Sequence, residues 1–150
     1  MIRSASIRCV LFAAASGLLL CGCGDSVPRT VVKGQLYDNG KPFKLDVSKV
    51  QLPKGATAAP PTMGGGGLLR VIFIPVEGGD SSQAVVDTET GAFTVAGPDG
   101  KGIKLGQYKI AVTAKSGGAD YFNGRFSPET TPFKREVKPG EEILLDLARP

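Results

Sequence analysis

The sequence of 150 residues contains no histidine, no tryptophan and only three cysteines. Histidine is the usual general base near neutral pH and the commonest metal-binding side chain. Its absence excludes histidine-dependent hydrolases and most zinc centres. No spacing of carboxylates points to an acid–base pair either. We therefore predict that the chain is not an enzyme, has no catalytic residues and takes no cofactor. We assign no metal-binding residues, apart from the weak calcium site that is left open below.

Charged side chains are also scarce, at 21%, and the formal net charge is +4. Two of these positive charges, Arg3 and Arg8, lie in a segment that we expect to be removed, which leaves +2. The lysines and arginines are scattered, and no basic run alternates with aromatic residues. We therefore predict no nucleic-acid partner.

The first 22 residues follow the order of a secretory signal. A positively charged start, MIRSASIR, precedes the mostly apolar run CVLFAAASGLLL, and small residues come next. This run has about twelve residues, whereas a transmembrane helix needs about 20. We predict a signal peptide over residues 1–22 rather than a permanent membrane span.

The end of this segment, Leu20-Cys21-Gly22-Cys23, resembles the lipobox of bacterial lipoproteins. The resemblance implies cleavage after Gly22, diacylglycerol on the sulfur of Cys23 and a lipidated tether over residues 23–29. Two or more acyl chains anchor a protein stably without spanning the membrane. We expect a lipoprotein of the cell envelope that faces the periplasm or the exterior. Gly24 replaces the common inner-membrane retention residue Asp, which slightly favours the outer membrane.

Two other uses of the cysteines are weaker. Cys21 and Cys23 form C-x-C, not the C-x-x-C of a thioredoxin-like redox site, and no strand–helix pattern follows them. A zinc site would need further ligands that the chain lacks. If Cys9 and Cys21 leave with the signal, the mature chain has no disulfide.

The remainder, residues 30–150, alternates short apolar runs with turn signals and is rich in glycine (21) and proline (11). No stretch keeps helical periodicity. We predict an all-β fold, an antiparallel Ig-like or prealbumin-like sandwich of about seven strands. The seven expected strands are 30–37, 71–76, 83–87, 92–96, 106–114, 134–138 and 141–147. The Pro- and Gly-rich stretch at about 53–67 is predicted to be a flexible insertion, either an exposed loop without function or a binding loop.

Four motifs in this order resemble small secreted bacterial lipoproteins with a carboxypeptidase-regulatory-like, or transthyretin-like (prealbumin-like), domain. The motifs are VKGQLYDNGKPF, VIFIPV, the long stretch from VVDTETGAF to GQYKIAV, and FKREVKPGEEILLDL. The resemblance covers residues 31–147 and implies a β-sandwich fold. Such domains commonly act as accessory, adhesive or recognition modules, so the resemblance implies little about activity.

Two loops resemble ligand sites but lack essential residues. GPDGKG (97–102) has Gly102 where a phosphate-binding loop needs Ser or Thr. DTETG (87–91) starts like a calcium loop but has Pro98 at the position of the last acidic ligand. We expect turn chemistry in both. A loose Ca²⁺ site formed by Asp87 and Glu89 with Asp99 or Asp120 stays open.

The segment DYFNGRF (120–126) is an aromatic cluster outside the predicted strands. Its candidate contact residues for a ligand or partner are Tyr121, Phe122, Arg125 and Phe126. These side chains suit stacking on a sugar or a protein contact, and the alternative is that they pack back on the sandwich. We predict a protein-binding or structural module of the envelope, with an envelope protein or a polysaccharide as partner; carbohydrate binding through this segment is the alternative function.

Overall fold

The computed structural model describes residues 27–46, 68–115 and 120–150. The predicted signal peptide, Cys23 and the insertion at 53–67 lie outside these residues. Eleven strands form in the described part: β1 (Arg29–Thr30), β2 (Val32–Asp38), β3 (Lys41–Pro42), β4 (Leu69–Pro75), β5 (Ser82–Gln83), β6 (Val85–Val86), β7 (Ala92–Val95), β8 (Ile103–Lys104), β9 (Gly106–Ala114), β10 (Lys134–Val137) and β11 (Glu142–Asp146). The predicted all-β fold class is confirmed.

Two main sheets face each other. The first has the strand order β10-β9-β4-β5, and the second has the order β11-β2-β7-β6 with β3 paired to β2. A separate two-stranded sheet joins β1 to β8. The chain passes from the first sheet to the second between β5 and β6, at the buried residue Ala84, so this short segment closes one side of the sandwich.

The core forms from the inward positions of the long strands. In β2, Val32, Gly34 and Leu36 are buried, as the alternation predicts. In β9, Tyr108, Ile110 and Val112 also point inward and are buried. A strand presents alternate side chains to one face, so these two strands supply facing halves of a single core.

The far half of β9 departs from the predicted inside–outside alternation. The alternation in GQYKIAVTA predicts that Thr113 faces outward, yet Thr113 is 7% exposed and Ala111 is fully buried. The segment after Asp120 lies along this half of the strand, where the Val112 N–H donates to the Phe126 carbonyl at 2.9 Å. In β4 the opposite holds. The apolar run VIFIPV predicts a strand that is covered on both faces, but Ile72 and Ile74 are only half-buried.

The strand count and pairing also differ from the prediction. Six of the seven expected strands appear, whereas the expected strand 83–87 is divided at Ala84 into β5 and β6, which belong to different sheets. The short strands β1, β3 and β8 are additional. One pairing is parallel rather than antiparallel, because β10 and β11, on either side of the Pro139-Gly140 turn, belong to different sheets. Arg29, assigned to the tether, is already the first residue of β1.

Two glycine positions explain local features of the pattern. At the β2–β3 turn, Asn39 and Gly40 both have positive φ, 52° and 74°, which is the geometry of a tight hairpin turn. At Gly34, a methyl group would lie 2.2 Å from the Phe93 ring and 2.3 Å from the Ile143 carbonyl oxygen. Only glycine lets the Phe93 ring lie against β2 at this point.

The sandwich has two distinct ends. The entry end is where Pro28 and Arg29 join the fold, next to the start of β9 and the end of β4. The far end carries the β2–β3 turn and the segment 120–130, about 27 Å away along the nine residues of β9. Within the described ranges, no helix is long and apolar enough to cross a bilayer.

Candidate functional site

The far end carries a chain of five packed aromatic rings, which we call the far-end aromatic cluster. Its members are Phe43, Tyr121, Phe122, Phe126 and Phe133. Ring centroids lie 6.5 Å apart for Phe43 and Tyr121, 5.8 Å for Phe43 and Phe122, and 5.5 Å for Phe122 and Phe126. The cluster thus joins the residues after β3 to the segment between β9 and β10.

The rings differ in exposure along the cluster. Phe126 and Phe133 are buried, with 2% and 1% exposure, and stack with centroids 5.3 Å apart. Tyr121 and Phe122 are half-buried and meet edge to face at 82°. The two accessible rings are therefore nearly perpendicular, and Phe126, a predicted contact residue, is core rather than surface.

Arg125 lies at the surface beside the cluster. Its guanidinium carbon is 5.0 Å from the centroid of the Phe126 ring, within the range of a cation–π contact. No described acidic side chain forms an ion pair with it. Arg125 is therefore an exposed planar cation held against an aromatic ring, and it forms no ion pair with the described residues.

Asp120 holds the start of the segment in place. Its carboxylate accepts hydrogen bonds from the N–H of Ala114 at 2.8 Å and of Gly124 at 2.9 Å. The side chain is 9% exposed, so these bonds form in a largely dry environment. Asp120 thus fixes the backbone that presents Tyr121 and Phe122.

Two threonines brace the other end of the same segment. The buried Thr131 hydroxyl donates to the Ile110 carbonyl of β9 at 2.6 Å, and the exposed Thr130 hydroxyl donates to the Gly124 carbonyl at 2.6 Å. The Ser127 hydroxyl donates to Glu129, and this bond lowers the pKa of the Glu129 carboxyl below its usual range. The segment is therefore built by side-chain to backbone hydrogen bonds.

The loose calcium site left open by the sequence is not assembled. Asp87 accepts the N–H groups of Glu89 and Thr90 within its own turn, which lower the pKa of its carboxyl. Asp120 is committed to backbone donors, and Asp99 lies at the opposite end of the sandwich. Within the described residues, no three metal-ligating side chains come together.

The GPDGKG loop closes the entry end instead of holding a phosphate. Its Asp99 accepts the Lys101 N–H at 3.2 Å and pairs with Arg29 at 3.0 Å. The Lys101 N–H bond first, and then Arg29, lower the pKa of the Asp99 carboxyl. The loop therefore fastens β1, the first strand of the domain.

An open cleft of about 450 Å³ also lies at the entry end. Its wall carries charges of both signs, Arg29 and Lys104 against Glu77 and Asp80. The Tyr108 hydroxyl at its floor donates to the Lys104 carbonyl at 3.0 Å, and burial raises the pKa of this tyrosine. Arg29 is paired with Asp99, and the other charged side chains of the cleft are of mixed sign. The cleft therefore does not form a binding site of one charge.

The sequence indicated the aromatic segment but not the residues that hold it in place. Phe43 follows the Asn39-Gly40 turn, and nothing in the local sequence predicts its contacts with Tyr121 and Phe122. The sequence offers two interpretations of Asp120, a metal ligand and an acceptor for the backbone N–H groups of the turn that follows it. The structure agrees with the second interpretation.

Comparisons with known proteins supply no relatives. No family model matches the chain, and neither a curated protein nor a solved structure matches it.

Proposed function

We propose that this protein is a lipid-anchored binding module of the cell envelope that contacts a partner protein through the far-end aromatic cluster and Arg125. The lipid is carried by Cys23, the signal peptide ends at Gly22, and the domain is a recognition sandwich of the transthyretin-like kind. The outer membrane is slightly favoured as its location.

The observation that supports this proposal is the placement of the two ends. The chain enters the sandwich at Pro28 and Arg29, only a few residues after Cys23. Within the aromatic cluster, Tyr121 is hydrogen-bonded to Ala114, the last residue of β9, about 27 Å from the first residue of that strand. An anchor at Cys23 would leave the entry end near the membrane and the cluster directed away from it.

The chemistry of the cluster favours a protein partner over a sugar. Aromatic side chains and arginine dominate the energetically important positions of protein interfaces, where rigid side chains cost little entropy to immobilise. Tyr121, Phe122 and Arg125 are such side chains on a braced backbone. A sugar ring stacks best on an open, flat aromatic face, and the 82° angle between Tyr121 and Phe122 weighs against a shared platform.

The test compares retention of envelope proteins on the full-length, membrane-anchored protein and on two double variants. Tyr121→Ala with Arg125→Ala removes the proposed contacts while leaving the buried rings in place. Val76→Ala with Arg135→Ala is the matched control, because it removes one exposed apolar side chain and one exposed arginine near the entry end. We expect only the first variant to lose a specifically retained protein; equal loss in both would contradict the proposal.

The anchor has a separate test. Cys23→Ser should move the protein from the membrane fraction to the soluble fraction, and labelled fatty acid should no longer be incorporated. Unchanged membrane partitioning would contradict lipidation at Cys23 without bearing on the contacts of the far end.

A further inference from the structure

Within the described residues, the two sheets leave two strands with one free edge each on the same side of the sandwich. The crossing between β5 and β6 closes the opposite side, whereas, among the described strands, β10 pairs only with β9 and β11 pairs only with β2. A free edge presents unpaired backbone N–H and C=O groups, which are a template for another strand. Proteins commonly protect such edges with charged side chains.

The two edges differ in this protection. In β10, Lys134, Arg135 and Glu136 are all exposed, so charges line the edge. In β11, the central residue Leu144 is 52% exposed and is among the most exposed large apolar side chains of the described residues. The β11 edge is therefore the one that has an exposed apolar side chain at its centre.

The backbone of β11 has its free groups at the exposed residues. The Leu147 N–H donates to the Tyr37 carbonyl of β2 at 2.8 Å, which places the backbone groups of odd-numbered residues toward β2. Because successive residues of a strand direct these groups to opposite sides, those of Glu142, Leu144 and Asp146 face outward. Leu144 thus lies at the centre of three positions whose outward backbone groups pair with no other described strand.

Acidic side chains flank Leu144 on the same face of the strand. Glu142 and Asp146 lie two residues away on either side, and Glu142 is exposed. Lys33 is the neighbour of Glu142 on β2, yet no ion pair within 4.0 Å joins them. An added strand would therefore meet the pattern acidic, apolar, acidic.

We infer that the β11 edge binds an extended segment of a partner protein by strand addition, with an apolar residue opposite Leu144 and Lys or Arg residues opposite Glu142 and Asp146. Backbone hydrogen bonds supply the affinity, and the alternating side chains supply the selectivity. This inference extends the proposed function to a second surface, and it holds even if the far-end aromatic cluster binds nothing.

A second copy of this chain fits the edge poorly. Two identical edges related by a twofold axis pair antiparallel. With Leu144 opposite Leu144, Glu142 of each copy lies opposite Asp146 of the other, which gives two like-charge pairs. Shifting the register by two residues in either direction places Glu142 or Asp146 opposite Leu144. The charges therefore select a basic partner strand over self-pairing.

The test uses two synthetic peptides and the full chain in mild detergent. The first peptide, Thr-Lys-Thr-Val-Thr-Lys-Thr, has the required pattern and reads the same in both directions. The second has Glu in place of both Lys residues. We expect binding of the first peptide by fluorescence anisotropy, and at least about tenfold weaker binding of the second, because two attractive cross-strand pairs become repulsive.

Two variants and one matched control locate the site. Leu144→Pro removes an outward N–H that β2 does not use and places a ring in the edge, so binding should be lost while the fold is kept. Lys134→Pro makes the same change on β10, whose even-numbered residues face outward because the Ile110 N–H donates to the Phe133 carbonyl, and it should leave binding unchanged. If Leu144→Pro does not fold, Leu144→Lys decides the matter, because it retains the backbone and repels the cationic peptide.

Four results would overturn the inference. They are equal affinity for both peptides, no binding of either, loss of binding in Lys134→Pro alone, or a dimer in sedimentation that Leu144→Pro dissociates. The last result would identify a second copy as the occupant of the edge.

Discussion

The entry end and the far end of the sandwich are held together by different kinds of contact. At the entry end, backbone contacts hold β1 alongside the Arg29–Asp99 ion pair: β1 pairs with β8, the Leu105 N–H donates to the Pro28 carbonyl, and Gly102 lies directly against Thr30. At the far end, buried side chains add bonds to the backbone, through Asp120 and Thr131.

The difference separates attachment from recognition. Backbone contacts depend little on side-chain identity and suit an end that must only secure the incoming chain. Side-chain contacts fix the position of particular rings and of Arg125, and this positioning is what a specific contact surface requires. Substitutions at one end or the other should therefore have distinct effects, which decrease in the order Gly102, Asp120, Thr131 and Asp99.

Gly102→Ala should be the most damaging substitution at the entry end. A methyl group there would lie 2.2 Å from the Thr30 carbonyl carbon, at a φ of 95° that alanine rarely adopts. We expect a loss of about 3 kcal/mol or more in the free energy of unfolding, measured by urea denaturation. Gly100→Ala is the control: φ is 73° but nothing lies within 4 Å, so about 1–2 kcal/mol is expected. Equal losses would show that the close approach to Thr30 is not tight.

Asp120→Ala should be the most damaging substitution at the far end. It leaves the N–H groups of Ala114 and Gly124 without their acceptor, at about 1–3 kcal/mol for each unsatisfied buried group. We expect a total loss of about 2–4 kcal/mol and faster hydrogen exchange in residues 121–126 than in β1. Asp120→Asn keeps one acceptor oxygen, so its loss in the free energy of unfolding should be about half as large. If hydrogen exchange became equally fast at both ends of the sandwich, the idea that Asp120 stabilises the far end alone would be contradicted.

Thr131→Val should have an intermediate effect at the far end. The change keeps the shape but removes the buried hydroxyl that donates to the Ile110 carbonyl and accepts the Phe133 N–H at 3.3 Å. We expect a loss of about 1–2 kcal/mol in chemical denaturation. Thr130→Val is the matched control, because that hydroxyl is exposed and water can replace it; a larger loss for Thr130→Val would be inconsistent with this account.

Asp99→Asn should have the smallest effect, and the effect should depend on pH. The pKa of the Asp99 carboxyl is lowered by the Lys101 N–H and by Arg29, so the unfolded chain binds the proton more readily. The stabilisation is therefore present near pH 7 and is lost as the pH falls below the ordinary value of 3.8. Thermal midpoints of wild type and variant should differ slightly at pH 7 and converge in acid. A difference that grows in acid would have the wrong sign.

Alternation and turn residues predicted most of the sandwich. β9 has the bounds expected from its sequence, and Ile143, Leu145 and Leu147 are buried, in agreement with the alternation in EEILLDL. The parallel pairing of β11 could not be predicted, because the Pro139-Gly140 turn suits a hairpin as well as a change of sheet. Local sequence reports the turn and not the sheet that the next strand joins.

The candidate site was predictable in composition and not in geometry. The run of Tyr121, Phe122 and Phe126 marked the segment, but the burial of Phe126 depends on its contacts with Phe133 and β9, which neither of their motifs indicated. Phe43 joins the cluster from across the sandwich. Such contacts follow from the tertiary fold alone.

The central claim, that the anchored sandwich contacts its partner through the far end, is tested most directly by photo-crosslinking in the intact envelope. A benzophenone amino acid is placed at Phe122 in one protein and at Val76, 55% exposed near the entry end, in another. The account predicts a discrete crosslinked protein from position 122 and none from position 76. A crosslink from position 76 alone would contradict it.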